Sequence, residues 1–197
     1  NQPQFLFYDY SFLETLPESE WTNGFAEIIK HACIKDKEMF HFLEKNSLAK
    51  FQSSTEMIGE LIRKNVDIKF NVVLNDEHEK GDRKLLNFGH TIGHAIENTS
   101  RLSHGNAISI GMVAACRISE KIAGFDSIDS QSISKLLEKY ELPVAFSIDK
   151  EKTWKVLKHD KKKAADTMNF VVLHQIGKAA VQPISMENLH EIFKEII

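Results

Sequence analysis

The 197-residue sequence predicts a mainly α-helical fold, with one strand at its start and a small β-hairpin near its end. Two observations predict the helices. Apolar residues recur at helical spacing through most of the chain after Pro17, and capping residues or glycines stand where the periodic segments begin and end. A third observation predicts the strands, because two strand-like runs, over residues 5–10 and 168–184, interrupt the helical pattern.

The elements follow from these signals in chain order. The aromatic run FLFYDYSFLETLP, from Phe5, predicts a strand and a turn. Further segments predict helices after Pro17, over 37–46, over 54–76, around the motif GHTIGH, from Ser103 to Gly124, over 129–141 and over 150–160, with a polar loop over 76–83. A hairpin around Gly177 and a closing helix capped by Ser185 complete the pattern.

The leading run raises the question of domain organisation. A lone strand cannot satisfy its own backbone groups, so it needs a partner strand. We therefore expect residues 1–17 to belong with another part of a longer chain, and residues 18–197 to form the helical domain.

The amino-acid composition indicates which classes of protein this chain can belong to. Hydrophobic residues make up 42% and charged residues 27%, with a formal net charge of -3, as in an ordinary globular protein. The basic run from Lys155 to Lys163 is short, so no nucleic-acid partner is predicted. No apolar run approaches the 18 or so residues that span a bilayer, and Cys33 and Cys116 lie in apolar contexts that suit free thiols. We expect a cytoplasmic protein without a membrane partner.

The segment LLNFGHTIGHAIE carries the strongest chemical signal. Its helical spacing places His90 and His94 one turn apart, and His104 follows after a short connection. Neutral imidazole suits zinc and related divalent ions, and a third ligand would be a carboxylate or another histidine. The competing interpretation is a chance pair on a solvated surface. A metalloprotease is excluded, because HxxxH here lacks the glutamate of HExxH.

Two neighbouring features favour a site. Gly89, Gly93 and Gly105 each adjoin one of the histidines, which favours close approach of a ligand over tight helix packing. Glu27 and Lys30, three residues apart in GFAEIIKHACIKD, are either a surface ion pair or a partly buried one. A buried carboxylate would need a cation, which a metal could supply.

Four motifs taken together, GFAEIIKHACIKD, DEHEKGDRKLLNFGHTIGHAIE, SHGNAISIGM and HDKK, resemble the carboxyl-terminal domain of the 3-dehydroquinate synthase family. The resemblance covers nearly the whole chain. It implies the multi-helix fold of that domain and an amino-terminal NAD-binding domain, of which residues 1–17 would be a remnant. It also implies a homodimeric, NAD- and divalent-metal-dependent lyase, with Zn or Co, that makes 3-dehydroquinate and phosphate from 3-deoxy-arabino-heptulosonate 7-phosphate in the shikimate pathway.

The resemblance also implies roles for individual residues. Glu27, His90 and His104 would be the metal ligands, and His94 would face the substrate and handle protons beside the leaving phosphate. Further positions match groups that contact the substrate: Lys30, Glu79 and Asn87 among the catalytic residues, Lys69 and Arg83 for the carboxylate and hydroxyls, and Lys161 or Lys162 for the phosphate. Asn106 stands where the family usually has Glu.

Two other functions stay open. Related sugar phosphate cyclases, such as those like 2-deoxy-scyllo-inosose synthase, use similar motifs on other sugar phosphates. Arg83 with Lys69 favours a substrate that carries a carboxylate. The non-enzymatic alternative is a helical module whose histidines only hold a metal or stabilise the fold.

Overall fold

The structure is a computed structural model that describes residues 4–76, 81–159 and 166–196. Its helices are α1 (Glu18–Lys35), α2 (Lys37–Lys45), α3 (Leu48–Gln52), α4 (Thr55–Asn75), α5 (His90–Thr99), α6 (His104–Ala123), α7 (Ser127–Lys139), α8 (Lys150–His159) and α9 (Met186–Ile196), with 3-10 turns at Tyr10–Thr15 and Asp82–Asn87. The strands are β1 (Thr167–Gln175) and β2 (Lys178–Ser185). The predicted mainly α class is confirmed. None of the described helices combines the length and apolarity that crossing a bilayer requires.

Helix α6 forms the centre of the domain. It is apolar or small on nearly every side, from Ala107 to Ile118, and such a helix is stable only when other elements surround it. Helices α1, α5, α7 and α9 and strand β1 pack around it. The Ser103 hydroxyl accepts from the Asn106 N–H at the start of α6, and Gly124 ends the helix with a φ of 68°.

Glycines let α6 approach its neighbours at backbone distance. A Cβ at Gly93 would lie 3.1 Å from the Ala107 carbonyl oxygen, and one at Gly105 would lie 2.6 Å from Asn23 Cα on α1. A Cβ at Gly111 would meet the backbone of Gly89 and Gly93. The expectation that these glycines make room for a ligand is therefore wrong, because they make room for helix backbone.

Gly89 does not lie inside a helix, although the sequence predicts that it does. It stands just before α5 with a φ of 77°, a left-handed conformation that glycine adopts without steric cost. Helix α5 therefore begins at His90, the first histidine of the motif.

The hairpin confirms the second strand prediction. Strands β1 and β2 pair antiparallel from Thr167↔Ser185 to Gln175↔Lys178, and Gly177 turns the chain with a φ of 84°. Met168 and Phe170 are buried on β1, and the Gly177 N–H donates to the Cys33 carbonyl oxygen of α1 at 2.8 Å. The hairpin thus joins the same core as α1 and α6.

The predicted leading strand is wrong for the described residues. Residues 5–9 have no regular structure, and Asp9 caps the 3-10 turn at Tyr10–Thr15. Phe5 and Phe7 are 82% and 84% exposed. The strand is missing because a strand needs a partner, and the described part of the chain forms one sheet, the β1–β2 hairpin.

Candidate metal centre

Three helices bring Glu27, His90 and His104 together. Glu27 lies in the middle of α1, and the two histidines are the first residues of α5 and α6. The Nε2 atoms of His90 and His104 lie 3.4 Å and 3.9 Å from Glu27 Oε1. Donor atoms about 2.1 Å from a tetrahedral ion lie about 3.4 Å from one another, so this spacing fits a cation between them.

Glu27 uses its two carboxylate oxygens differently. Oε2 accepts a hydrogen bond from the Lys30 ammonium at 2.6 Å, and the Lys30 side chain is only 3% exposed. Oε1 is buried, and no donor among the described residues completes a hydrogen bond to it. Buried acceptors without partners are rare, because they lose their hydration and gain nothing in return. A cation placed between Oε1 and the two Nε2 atoms would supply the missing partner.

Both histidines present the right nitrogen to Glu27. The Nδ1 of His90 lies 3.2 Å from the Phe88 carbonyl oxygen, and the Nδ1 of His104 lies 3.3 Å from a carboxylate oxygen of Glu97. Each of these partners accepts hydrogen bonds, so a neutral ring at either position carries its proton on Nδ1 and keeps the Nε2 lone pair free. Free Nε2 lone pairs are what a metal ion requires.

The charge states also suit a cation. Burial, together with the positive charge of Lys30, lowers the pKa of His90 to about 4, which keeps this imidazole neutral. Burial raises the pKa of Glu27, but the charge and hydrogen bond of Lys30 outweigh it and hold the pKa below its ordinary value. The cluster therefore holds one carboxylate and a neutral imidazole at His90.

The family model for the 3-dehydroquinate synthase C-terminal domain matches residues 24–163, a span that contains all three of these residues. The chain belongs to this family. Among its relatives, 3-dehydroquinate synthase of Halalkalibacterium halodurans is 36% identical over 98% of this chain and 54% of its own length. That of Thermodesulfovibrio yellowstonii is 38% identical over 98% of this chain and 56% of its own length. The chain thus spans about half the length of the curated relatives it matches.

Solved structures share the fold. A 2-deoxy-scyllo-inosose synthase, complexed with carbaglucose-6-phosphate, NAD+ and Co2+, superposes with a TM-score of 0.81 at 26% identity, over 98% of this chain and 57% of its own. The 2-epi-5-epi-valiolone synthase of Streptomyces hygroscopicus, with NAD+ and Zn2+ bound, gives 0.82 at 21% identity, over 95% of this chain and 54% of its own. The second likeness concerns the fold alone.

A cavity of about 250 Å3 opens beside the 3-dehydroquinate synthase family motif on α5. Its lining includes His90, His94 and Asn87, together with Leu157 of α8 and Val171 of β1. The His94 ring centroid lies 5.1 Å from that of His90 and 5.9 Å from that of His104. His94 therefore borders both the cluster and the cavity, and its role toward a substrate remains a prediction.

The structure describes two more of the predicted substrate residues, one on α4 and one in the Asp82–Asn87 turn. Lys69 is exposed on α4, and its positive charge contributes to lowering the pKa of Lys30, after burial. Arg83 lies in the Asp82–Asn87 turn, where its backbone N–H donates to Asp76 Oδ2 at 3.1 Å. Glu79, Lys161 and Lys162 lie outside the described residues, and their roles stay predictions.

Two neighbouring residues did not emerge from the sequence. Glu97 follows His94 by three residues and His90 by seven. Helical spacing therefore predicts that Glu97 lies on the same face of α5 as these two histidines. His31 is buried, and its Nδ1 lies 2.7 Å from Asn65 Oδ1 on α4. No local signal marks that pairing, because the two residues are 34 positions apart.

Proposed function

We propose that Glu27, His90 and His104 hold one divalent cation, Zn2+ or Co2+. The observation that supports this proposal most directly is the buried Glu27 Oε1, which has no hydrogen-bond partner among the described residues and lies near the Nε2 atoms of His90 and His104. The 2-deoxy-scyllo-inosose synthase that shares the fold at 26% identity holds Co2+, which supports the same class of ion. When bound, the ion would act as a Lewis acid on a substrate hydroxyl.

We further propose that the complete gene product is a 3-dehydroquinate synthase, an NAD- and metal-dependent phosphorus–oxygen lyase of the shikimate pathway. It would convert 3-deoxy-arabino-heptulosonate 7-phosphate to 3-dehydroquinate and phosphate, in the cytoplasm and as a homodimer, with no nucleic-acid or membrane partner. Family membership and identities of 36–38% to enzymes of that name support this proposal. Residues 18–197 would form the metal- and substrate-binding domain, and residues 1–17 would accompany an NAD-binding domain.

The predicted substrate residues have complementary tasks in this proposal. Lys69 and Arg83 would neutralise the substrate carboxylate, and Lys161 or Lys162 would neutralise the phosphate, because an anion binds best to cations that it can contact directly. Glu79 and Asn87 would bind the hydroxyls between these two ends.

Two groups beside the cluster of Glu27, His90 and His104 suit proton transfer. Lys30, whose pKa is lowered by burial despite the opposing charge of Glu27, is placed to hold a proton beside the oxidised hydroxyl. His94, at the cavity wall, would carry a proton near the leaving phosphate.

Metal analysis tests the proposed centre. The purified chain is stripped with a chelator and titrated with Zn2+, and we expect one ion per chain. At a free concentration 100 times the Kd, the ion should raise the free energy of unfolding by about 2.7 kcal/mol. Glu27→Gln and His90→Ala should lose this gain, whereas His41→Ala, at a half-buried histidine on α2, should keep it. Equal binding by all three variants would show that the centre is misassigned.

The substrate is tested in the complete gene product. We expect NAD-dependent phosphate release from 3-deoxy-arabino-heptulosonate 7-phosphate and none from glucose 6-phosphate. The second substrate is included because a 2-deoxy-scyllo-inosose synthase shares the fold at 26% identity. Turnover of glucose 6-phosphate alone would move the protein to another sugar phosphate cyclase activity.

A further inference from the structure

We infer that Glu97 is a positioning residue for the metal centre, acting through the ring of His104. Its carboxylate holds the proton of His104 on Nδ1 and so turns the Nε2 lone pair toward Glu27. This inference rests on the proposed metal centre and assigns the orientation of the His104 ring to Glu97.

The geometry places Glu97 behind His104 as seen from Glu27. Glu97 lies near the end of α5, and His104 begins α6 after a connection of four residues. One ring nitrogen of His104 lies 3.3 Å from Glu97 Oε2, and the other lies 3.9 Å from Glu27 Oε1. The imidazole therefore lies between two carboxylates, with one ring nitrogen toward each.

His104 needs this support more than His90 does. The His90 side chain is 14% exposed, so surrounding atoms hold its ring in addition to the Phe88 carbonyl. The His104 side chain is 45% exposed, so packing fixes its ring much less. A ring that packing leaves free must be oriented by a hydrogen bond, and among the described residues the hydrogen bond to a His104 ring nitrogen is the one with Glu97.

The chemistry of the pair fits a supporting role. An ionised carboxylate only accepts hydrogen bonds, so it selects the neutral tautomer with the proton on Nδ1. Hydrogen-bonded carboxylates behind a ligating histidine also raise the basicity of the ring, and their loss typically weakens metal binding 10–100-fold. We expect a loss of that size for Glu97.

Metal affinity gives the first test. Zn2+ affinity is measured by competition with a chromophoric chelator for the whole chain and for Glu97→Ala, Glu97→Gln and Glu138→Gln. Glu97→Ala should weaken binding about 10–100-fold. Glu97→Gln should lose less, because its amide oxygen still accepts from Nδ1–H. Glu138→Gln, which removes the same charge from an exposed position on α7, should match the parent. An affinity of Glu97→Ala equal to the parent's would overturn the inference.

A second measurement does not depend on metal. Nitrogen-15 NMR of the metal-free chain above pH 8 reports which nitrogen of His104 carries the proton. The parent should show it on Nδ1, and Glu97→Ala should shift the population toward Nε2. If the parent binds no Zn2+, the proposed metal centre fails, and the tautomer shift still decides the role of Glu97. An unchanged tautomer overturns that role.

Stoichiometry separates positioning from direct ligation. Ligand atoms of His94, Glu97 and His104 lie within 4.8 Å of one another, so Glu97 could instead be a ligand of a second ion. One ion per chain in the parent, bound more weakly but at the same stoichiometry in Glu97→Ala, supports positioning. Two ions in the parent, falling to one in the variant, would overturn it.

Discussion

Substitution of Gly111 by alanine tests whether backbone packing between α5 and α6 places His90. A Cβ at this position would lie 2.7 Å from Gly93 N and 3.0 Å from Gly93 Cα, and closer still to the Gly89 carbonyl oxygen. Non-bonded atoms prefer separations of about 3.5–4.0 Å. Every one of these contacts is backbone, so no side chain can rotate away, and α5 would have to move by on the order of 1 Å.

This movement should reduce stability and metal affinity together. Overpacking costs about 1–3 kcal/mol, and alanine returns about 0.5–1 kcal/mol of helix preference, so we expect a net loss of about 1 kcal/mol in the free energy of unfolding. That loss corresponds to a decrease in Tm of about 2–4 °C. Because metal ligands tolerate displacements of only about 0.2 Å, the shift of His90 should also weaken Zn2+ binding.

Gly24→Ala is the matched control. Gly24 lies within α1, three residues before Glu27, and a Cβ there would meet nothing within 4 Å. This variant should be more stable than the parent by about 0.5–1 kcal/mol and should bind Zn2+ normally. Urea unfolding and chelator competition measure both quantities. A Gly111→Ala chain with the parent's stability and affinity would refute the claim that close packing of α5 onto α6 positions the cluster.

Three further predictions concern stability, each measured by urea unfolding. Burial, together with the positive charge of Lys30, lowers the pKa of His31 to about 4, so between pH 6.5 and 4 the unfolded chain binds a proton that the folded chain does not. This histidine should remove up to about 3 kcal/mol from the free energy of unfolding as the pH falls, in addition to the contribution of His90, so His31→Gln should lose less stability on acidification than the parent. Gly177→Ala, with a positive φ and its Cβ 2.8 Å from Lys37 N, should cost about 2 kcal/mol more than Gly124→Ala, whose Cβ would meet nothing within 4 Å. Tyr140→Phe should cost about 1–2 kcal/mol, because the hydroxyl donates to the carbonyl oxygens of Leu43 and Asn46.

Each of these three has a clear contrary result. A His31→Gln chain with an unchanged pH dependence would exclude this histidine as the source of the acid sensitivity. Equal losses in the two glycine variants would exclude the contact with α2. An unchanged Tyr140→Phe chain would show that the two carbonyl oxygens find other partners.

Much of the fold was readable from local sequence. Ser103 and Gly124 bound α6 as predicted, and Ser185 caps α9, since its hydroxyl accepts from the Asn188 N–H at 3.2 Å. Gly177 turns the hairpin. Caps and turns depend on residues close in sequence, so their signals survive without knowledge of the tertiary structure.

The errors arose where tertiary contacts decide. The aromatic run from Phe5 has the composition of a strand, but composition does not supply a partner strand. The short helix α3 and the turn at Asp82–Asn87 were missed, because one or two helical turns leave too little periodicity to detect. The sequence favours a ligand beside the glycines that adjoin the histidines, whereas Met112, Ile108 and Asn23 fill that space.

For the candidate site, the sequence indicated the histidines but not the full arrangement. Spacing alone placed His90 and His94 on one helix face, and the resemblance added Glu27 from another helix. The support of His104 by Glu97 across two helices depends on how α5 turns into α6, which the sequence does not specify locally.

The ion pair between Lys30 and Glu27 has a consequence for ion selectivity. Because Lys30 occupies Oε2, the carboxylate can ligate through one oxygen only, in monodentate fashion. Calcium favours six to eight oxygen donors and often both oxygens of a carboxylate, whereas ions that accept imidazole tolerate a small, mixed shell. Lys30 would therefore disfavour hard cations that are abundant in the cell, although it does not itself ligate the ion.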